Sequence, residues 1–166
     1  RKTIAKLRKE IPDIHIRTTI LVGFPGETEE DFNELLDFVE ETRIPRLGAF
    51  AFSDEEGTLS YRMEGKLDEE TKNERVEVLM RLQSGISDSL NEEKIGKTYE
   101  VMVDEAVDEE ACRYLGRTRY DAPEIDDAVE FTGMTAHQPG DIVVVNVTDS
   151  SEYDLYGEEV SHEFTK

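Results

Sequence analysis

Cysteine is nearly missing from this chain of 166 residues, with Cys112 as its single representative. One thiol cannot form an internal disulfide, so a reducing, cytoplasmic setting is expected. Basic residues are scarce as well. Nineteen Lys and Arg stand against 40 Asp and Glu, a formal net charge of −21. A protein that binds duplex nucleic acid or tRNA normally carries a basic stripe, and none is visible. No run of 18 apolar residues occurs, which excludes a transmembrane helix and leaves no reason to expect a membrane partner. An initiator methionine and a signal-peptide pattern are both missing. The chain opens inside a helical-looking stretch, residues 1–10, as a segment of a longer protein would.

What is present is periodic. Hydrophobic residues make up 37% of the chain and charged residues 36%. The apolar positions recur with regular spacing, the mark of a folded, soluble protein with length enough for a core. Residues 14–22 are β-branched and largely apolar, bounded by Pro12 and Gly23, and suit a buried parallel strand. Phe24-Pro25-Gly26 forces a tight turn. Thr28 then offers an N-cap, with Glu29, Glu30 and Asp31 in a first turn where the helix dipole favours anions. Phe32, Leu35, Leu36 and Val39 form a helical stripe, Pro45 ends the connection, and residues 47–52 read as the next strand. The pattern is a βαβ unit, which implies parallel strands.

A loop at residues 53–58 precedes a long helix capped by Asp68, with Val76, Leu79, Leu82, Ile86 and Leu90 on one face and Gly96 closing it. Beyond Lys97 the period changes. Tyr99, Val101 and Val103 alternate with polar residues, as do parts of 111–120 and 142–147. Turn signals such as Gln138-Pro139-Gly140-Asp141 separate them, so a small antiparallel β-barrel of the OB-like kind is expected. The fold class is therefore α/β followed by all-β, with a boundary between residues 1–94 and 95–166. The first part carries 14 Lys/Arg against 22 Asp/Glu, a net of −8, and the second 5 against 18, a net of −13. Acidity of this kind serves solubility in general. It also suits an acidic face that meets a basic protein.

The segment Gly23-Phe24-Pro25-Gly26-Glu27-Thr28 sits where a βα loop leaves the C-terminal end of a strand. In (βα)-barrels that edge carries the chemistry, because the loops converge on one mouth. Glycines let a backbone approach a ligand, and N–H groups at a helix start can hold an anion. A Gly-Pro turn before a helix is, on spacing alone, more often structural. No Gly-Lys-Ser/Thr follows, so it is not a Walker loop. His15, His137 and His162 lie far apart with no ligand spacing and read as surface or core residues, and no metal-binding or catalytic residue is assigned. Cys112 reads as a small buried hydrophobe in a strand.

Two longer stretches carry a family resemblance. Arg17-Thr18-Thr19-Ile20-Leu21-Val22-Gly23-Phe24-Pro25-Gly26-Glu27-Thr28-Glu29-Glu30-Asp31-Phe32 resembles the segment that radical-SAM methylthiotransferases place on a late barrel strand. Arg46-Leu47-Gly48-Ala49-Phe50-Ala51-Phe52-Ser53 resembles the strand that follows, although Phe52 and Asp54 stand where relatives commonly show Tyr and Pro. Gly116-Arg117-Thr118-Arg119-Tyr120-Asp121-Ala122-Pro123-Glu124-Ile125-Asp126 resembles the TRAM-domain signature of the RimO-type subgroup, which modifies a ribosomal protein, rather than the tRNA-modifying one. The resemblance runs from about residue 4 to residue 160. It implies the C-terminal portion of a radical-SAM (βα) barrel over 1–94 and a TRAM barrel over 95–166. It also implies an S-adenosylmethionine pocket lined by Gly23, Phe24, Pro25, Gly26, Glu27 and Phe50.

The intact enzyme would use S-adenosylmethionine and two [4Fe–4S] clusters to place a methylthio group on the β-carbon of an aspartate. Its target would be a basic small-subunit ribosomal protein. Asp121, Glu124 and Asp126 would contact that protein, with no direct nucleic acid preferred. The Cys-x3-Cys-x2-Cys motif of the family is not in this chain, so no cofactor is expected to be held by the segment alone, and the segment by itself is expected to be inactive. The alternatives are a segment of a tRNA methylthiotransferase and a non-enzymatic protein-interaction module.

Overall fold

Strand β1, Arg17–Val22, pairs in parallel with β2, Arg46–Ala51, with Val22 opposite Ala51 and Leu21 opposite Phe50. In the computed structural model, residues 1–123, 125–126 and 128–161 are described, and the chain divides into two units, 1–86 and 87–166. Glu124 and His162, both named above, and Asp127 lie outside the described residues. The βαβ reading of the first unit holds, with one correction. The strand was expected to be buried, yet only one face is covered: Val22 and Leu47 are buried, while Leu21 is 50% and Phe50 62% exposed. Strand residues alternate between faces, so a two-stranded sheet packed on one side leaves the register partners Leu21 and Phe50 together on the open side.

Helix α1 covers Lys2–Glu10 and α2 covers Glu29–Thr42. The α2 start is closed by a reciprocal cap. The Thr28 hydroxyl accepts from the Asp31 N–H at 3.1 Å, and the Asp31 carboxylate accepts from the Thr28 N–H at 2.9 Å. This satisfies two amides that have no helical partner, as a capping box does, with Asp where Glu or Gln is usual. The carboxylate also accepts from the Thr28 hydroxyl at 2.8 Å, and the Thr28 N–H first, then this hydroxyl, hold the Asp31 carboxyl below its ordinary pKa. Phe32 and Val39 are buried on the inward face, and the helix ends at Arg43 in the left-handed region, φ 42°.

The long helix α3, Glu69–Glu92, begins at the expected cap: Asp68 accepts from the Thr71 N–H at 2.8 Å and from the Thr71 hydroxyl at 3.0 Å. Its buried stripe is not the apolar one expected. Leu79 and Ile86 are buried, but their buried neighbours on the helix are Lys72, Arg75, Gln83, Ser87 and Asn91, while Val76, Leu82 and Leu90 are only partly covered. The polar residues reach backbone groups that the helix ends and loops leave unpaired. Gln83 donates to the Ile44 carbonyl at 3.0 Å and Asn91 to the Ser151 carbonyl at 3.1 Å. A buried carbonyl without a partner costs about 1–3 kcal/mol, so polar residues are the better choice at these points.

In the second unit β3 (Thr98–Asp108), β4 (Arg113–Thr118), β5 (Val129–Thr132), β6 (Ile142–Ser150) and β7 (Leu155–Glu159) close a barrel in the order β3-β4-β5-β7-β6. Four of its pairings are antiparallel, as expected; the fifth, β5 with β7, is parallel. Closure explains the exception, because a five-stranded ring has an odd number of neighbours and cannot alternate direction throughout. The inward residues Val101, Val103, Tyr114, Val129, Phe131, Val143, Val145, Val147 and Leu155 make one core. Each such side chain contributes about 1.5–3 kcal/mol of burial. The Tyr114 and Phe131 rings lie 5.6 Å apart at its centre. Cys112 is not in a strand: it sits in the β3–β4 connection with φ 52°, partly buried against the core.

Candidate functional site

The turn after β1 has a backbone that only glycine tolerates easily. Gly23 has φ 78° and Gly26 φ 90°, both in the left-handed region. At Gly23 a Cβ would lie 2.3 Å from the Lys72 Cγ, so α3 packs directly against the turn. Gly26 is different. Nothing lies within 4 Å of where its Cβ would be, and its N–H donates to the Gly65 carbonyl at 2.8 Å. The turn is thus packed beneath Gly23 and open beside Gly26.

Glu27 closes the turn on itself. Both of its carboxylate oxygens accept from the Gly23 N–H at 3.0 Å, and Oε1 also receives the Arg75 guanidinium at 2.5 Å. The Arg75 side chain is 8% exposed; it also reaches Glu29 at 3.2 Å and lies 5.0 Å from the centre of the Phe32 ring. Lys72 is buried beside it. Its ammonium donates to the Phe52 carbonyl at 3.0 Å and to Glu69 at 2.5 Å. The Phe52 N–H in turn donates to the Val22 carbonyl at 2.8 Å, and the Phe24 ring meets the Phe52 ring edge-on at 5.2 Å. The ends of both strands are therefore tied together from below by two cations of α3. Neither Lys72 nor Arg75 was singled out in the sequence. The available signal was their spacing of three, in phase with Leu79.

Of the expected pocket residues, Phe24 and Phe50 are exposed, Pro25 is buried and Glu27 is engaged by Gly23 and Arg75. The expectation that helix-start amides hold an anion needs correction. The Gly23, Thr28 and Asp31 N–H groups already have carboxylate or hydroxyl acceptors, and three carboxylates crowd the first turn of α2. An anion brought there would meet like charge.

In the second unit, two described carboxylates of the loop after β4 accept bonds within the loop. Asp121 accepts from the Thr118 hydroxyl at 2.6 Å, and Asp126 accepts from the Ala122 N–H at 2.6 Å. A cleft of about 220 Å³ is lined by Glu100, Met102, Arg117, Thr118, Arg119, Asp121 and Ile142. His137, expected to be a surface or core residue, bonds Glu159 at 2.8 Å through Nε2 and packs edge-on against Tyr114 at 5.5 Å between ring centres. Among the described residues no group of three or more His, Cys, Asp or Glu could hold a metal ion, and no helix is long and apolar enough to cross a membrane.

Comparison with known proteins places these features. Residues 95–160 match the family model of the TRAM domain. The ribosomal protein uS12 methylthiotransferase RimO of Clostridioides difficile is 49% identical over 152 residues, 92% of this chain and 34% of that protein. The protein of the same name from Parabacteroides distasonis is 46% identical over 155 residues, 93% of this chain and 35% of its own length. That of Desulforamulus reducens is 50% identical over 155 residues, again 93% and 35%. The chain thus spans about a third of the length of the curated relatives it matches. By these matches residues 95–160 are similar to the TRAM domain, and the chain as a whole is similar to the C-terminal part of the RimO-type methylthiotransferases.

Proposed function

We propose that this chain is part of a cytoplasmic radical-SAM enzyme that methylthiolates a ribosomal protein, with residues 1–94 completing a (βα) barrel and residues 95–166 recognising the substrate. The observation that carries the reading is near-half identity to RimO proteins sustained over 92–93% of the chain. The open face of the β1–β2 sheet supports it. Exposed Leu21 and Phe50, opposite each other in register, suit the interior of a barrel whose other strands lie elsewhere in the polypeptide.

The residues present fit S-adenosylmethionine better than an iron–sulfur cluster. Phe24 and Phe50 are exposed rings at the C-terminal ends of parallel strands, and Gly26 leaves its backbone approachable. Flat rings and an open backbone suit an adenosyl group. A cluster needs several thiolates and the chain has one cysteine, so no step is assigned to a cluster here. Bound S-adenosylmethionine would supply the radical and methyl chemistry of the family. The residues of this chain would bind and orient it, Phe50 and Phe24 by contact, Gly23, Pro25 and Gly26 by the shape of the turn, Glu27 by closing it. The experiment is equilibrium binding of S-adenosylmethionine to the intact enzyme carrying Phe50→Ala. A melting curve measured beside it separates lost binding from lost folding: affinity should fall at an unchanged Tm, and unchanged affinity would refute the pocket.

The barrel's balance of 5 Lys/Arg against 18 Asp/Glu supports recognition of a basic protein rather than RNA. The loop carrying Asp121, Glu124 and Asp126 is the proposed contact. Asparagine and glutamine keep the acceptor oxygens that Asp121 and Asp126 use within the loop but remove the charge. The triple variant Asp121→Asn, Glu124→Gln, Asp126→Asn should therefore fold normally and associate more slowly with the ribosomal protein at low salt. The difference should vanish at high salt. Tighter binding to tRNA than to the protein would favour a tRNA-modifying enzyme instead.

A further inference from the structure

We propose that Arg75 and Lys72 are positioning residues of the cofactor site: α3, acting through Glu27 and the Phe52 carbonyl, sets the shape of the turn that meets S-adenosylmethionine. The inference rests on the pocket proposed above and names the machinery that holds it.

The turn's own bonds leave the direction of the Glu27 side chain to be set from elsewhere. Two glycines with positive φ make it the most conformationally free part of the β1–α2 connection, and Gly26 has open space beside it. Inside it the Glu27 N–H donates to the Phe24 carbonyl at 2.9 Å, and the Glu27 carboxylate accepts from the Gly23 N–H at 3.0 Å, which ties the turn back to the end of β1. That carboxylate could rotate away to solvent if nothing else held it. Arg75 prevents this, donating to Glu27 Oε1 at 2.5 Å from a side chain that is itself buried. On the other side, Lys72 fills the space under Gly23 and anchors the last carbonyl of the β2 extension at 3.0 Å. Phe52 is also the ring against which Phe24 rests. One helix thus fixes both strand ends and, through Phe52, one of the two rings assigned to the ligand.

The energetics favour a positioning role over a stabilising one. A buried ion pair gains little over a well-packed apolar pair, because both charges lose their hydration. Arg75 also leaves its Nε buried with no acceptor, a further cost. Leucine or methionine on α3 could cover the turn at least as stably. What such residues could not do is fix the direction of the Glu27 carboxylate, and hence the angle at which Gly23 leaves β1. Groups that orient metal ligands change affinity about 10–100-fold when removed, and an effect at the lower end is expected of groups that orient this turn.

The test uses the intact methylthiotransferase with Arg75→Met, Glu27→Gln, both together, and Arg75→Lys as the conservative variant. S-adenosylmethionine affinity is measured by equilibrium binding, and amide exchange at Gly23 and Gly26 by mass spectrometry. Arg75→Met should weaken affinity about tenfold and speed exchange at Gly23. In the Glu27→Gln background it should add less than about twofold, because the two act through one contact. Arg75→Lys should restore part of the affinity. Additive losses, or a lowered Tm with unchanged affinity and exchange, would overturn the proposal. If Phe50→Ala also leaves affinity unchanged, the pocket reading itself has failed; if Phe50→Ala weakens binding while Arg75→Met does not, only the positioning role has.

Discussion

The same chemical change, glycine to alanine, should have opposite effects at different glycines of this chain. Gly85 lies in α3 with nothing within 4 Å of its missing Cβ. Alanine there removes backbone freedom from the unfolded chain and should stabilise by about 0.5–1 kcal/mol. Gly116 and Gly157 lie in barrel strands. A Cβ at Gly116 would be 2.4 Å from the Met102 carbonyl oxygen and 2.6 Å from the Val101 Cγ1. At Gly157 it would be 2.4 Å from the Asn146 carbonyl oxygen and 2.6 Å from the Val145 Cγ1. In each case the obstacle includes the backbone of the neighbouring strand, which cannot swing aside as a side chain would. Overpacking of this kind costs about 1–3 kcal/mol, and the entropic gain of about 0.4–1 kcal/mol offsets only part of it. The expected net loss is about 1–2 kcal/mol at either site, and each kcal/mol lowers the Tm of a domain this size by about 4–8 °C. Urea and thermal denaturation followed by far-UV circular dichroism measure the change. Amide exchange at Val101 and Val145 assigns it to the barrel. Gly116→Ala or Gly157→Ala at parental stability, or a destabilised Gly85→Ala, would refute the steric reasoning.

Other expectations follow from single contacts. Phe131→Ala, at the centre of the barrel, should cost about 3–5 kcal/mol in urea denaturation, since the ring is 2% exposed and packs on Tyr114. Tyr114→Phe removes the phenolic oxygen that accepts from the His137 N–H at 3.1 Å, and should cost about 1–3 kcal/mol by the same measurement. Thr28→Ala breaks the hydroxyl half of the α2 cap and should cost about 0.5–2 kcal/mol, with faster exchange of the Asp31 amide. The Asp31 and Asp68 carboxyls both lie below their ordinary pKa, each chiefly through a backbone N–H donor. The folded values being depressed, their contribution is present above the unfolded value of about 4 and lost as pH falls through the folded one. Stability measured from pH 6 to pH 2 should decline over that window, and less steeply in an Asp31→Asn, Asp68→Asn double variant.

Local chemistry made much of the fold readable. Thr28 and Asp68 announced their helices because a hydroxyl or carboxylate ahead of a periodic stripe has one obvious partner, an unpaired first-turn amide. The barrel strands were visible in alternation, as at Tyr99, Val101 and Val103. What was hidden depended on partners distant in sequence. Lys72 and Arg75 look like solvent-facing charges in a helix rich in them. Their burial follows from groups 20 and 48 positions away, the Phe52 carbonyl and the Glu27 carboxylate. The parallel β5–β7 pair was hidden for the same reason, since strand direction around a ring depends on closure and not on either strand's residues. Cys112 was misplaced because its left-handed backbone leaves no compositional mark. At the candidate site, the glycines and phenylalanines stood out in the motif, while what holds them did not.

Strand β7 has a bearing on how the barrel comes into being during synthesis. It is the element that pairs with both β5 and β6, so residues 155–159 form the seam of the ring. Until they leave the ribosome, the other four strands can form only an open sheet with β5 and β6 exposing unpaired N–H and C=O groups. Such edges invite pairing with other nascent chains. At about 5–20 residues per second, the interval between completion of β6 at Ser150 and arrival of Glu159 is on the order of a second. A premature stop anywhere before Leu155 would make that exposure permanent. Chains truncated there should accumulate as aggregates rather than as a slightly weakened barrel.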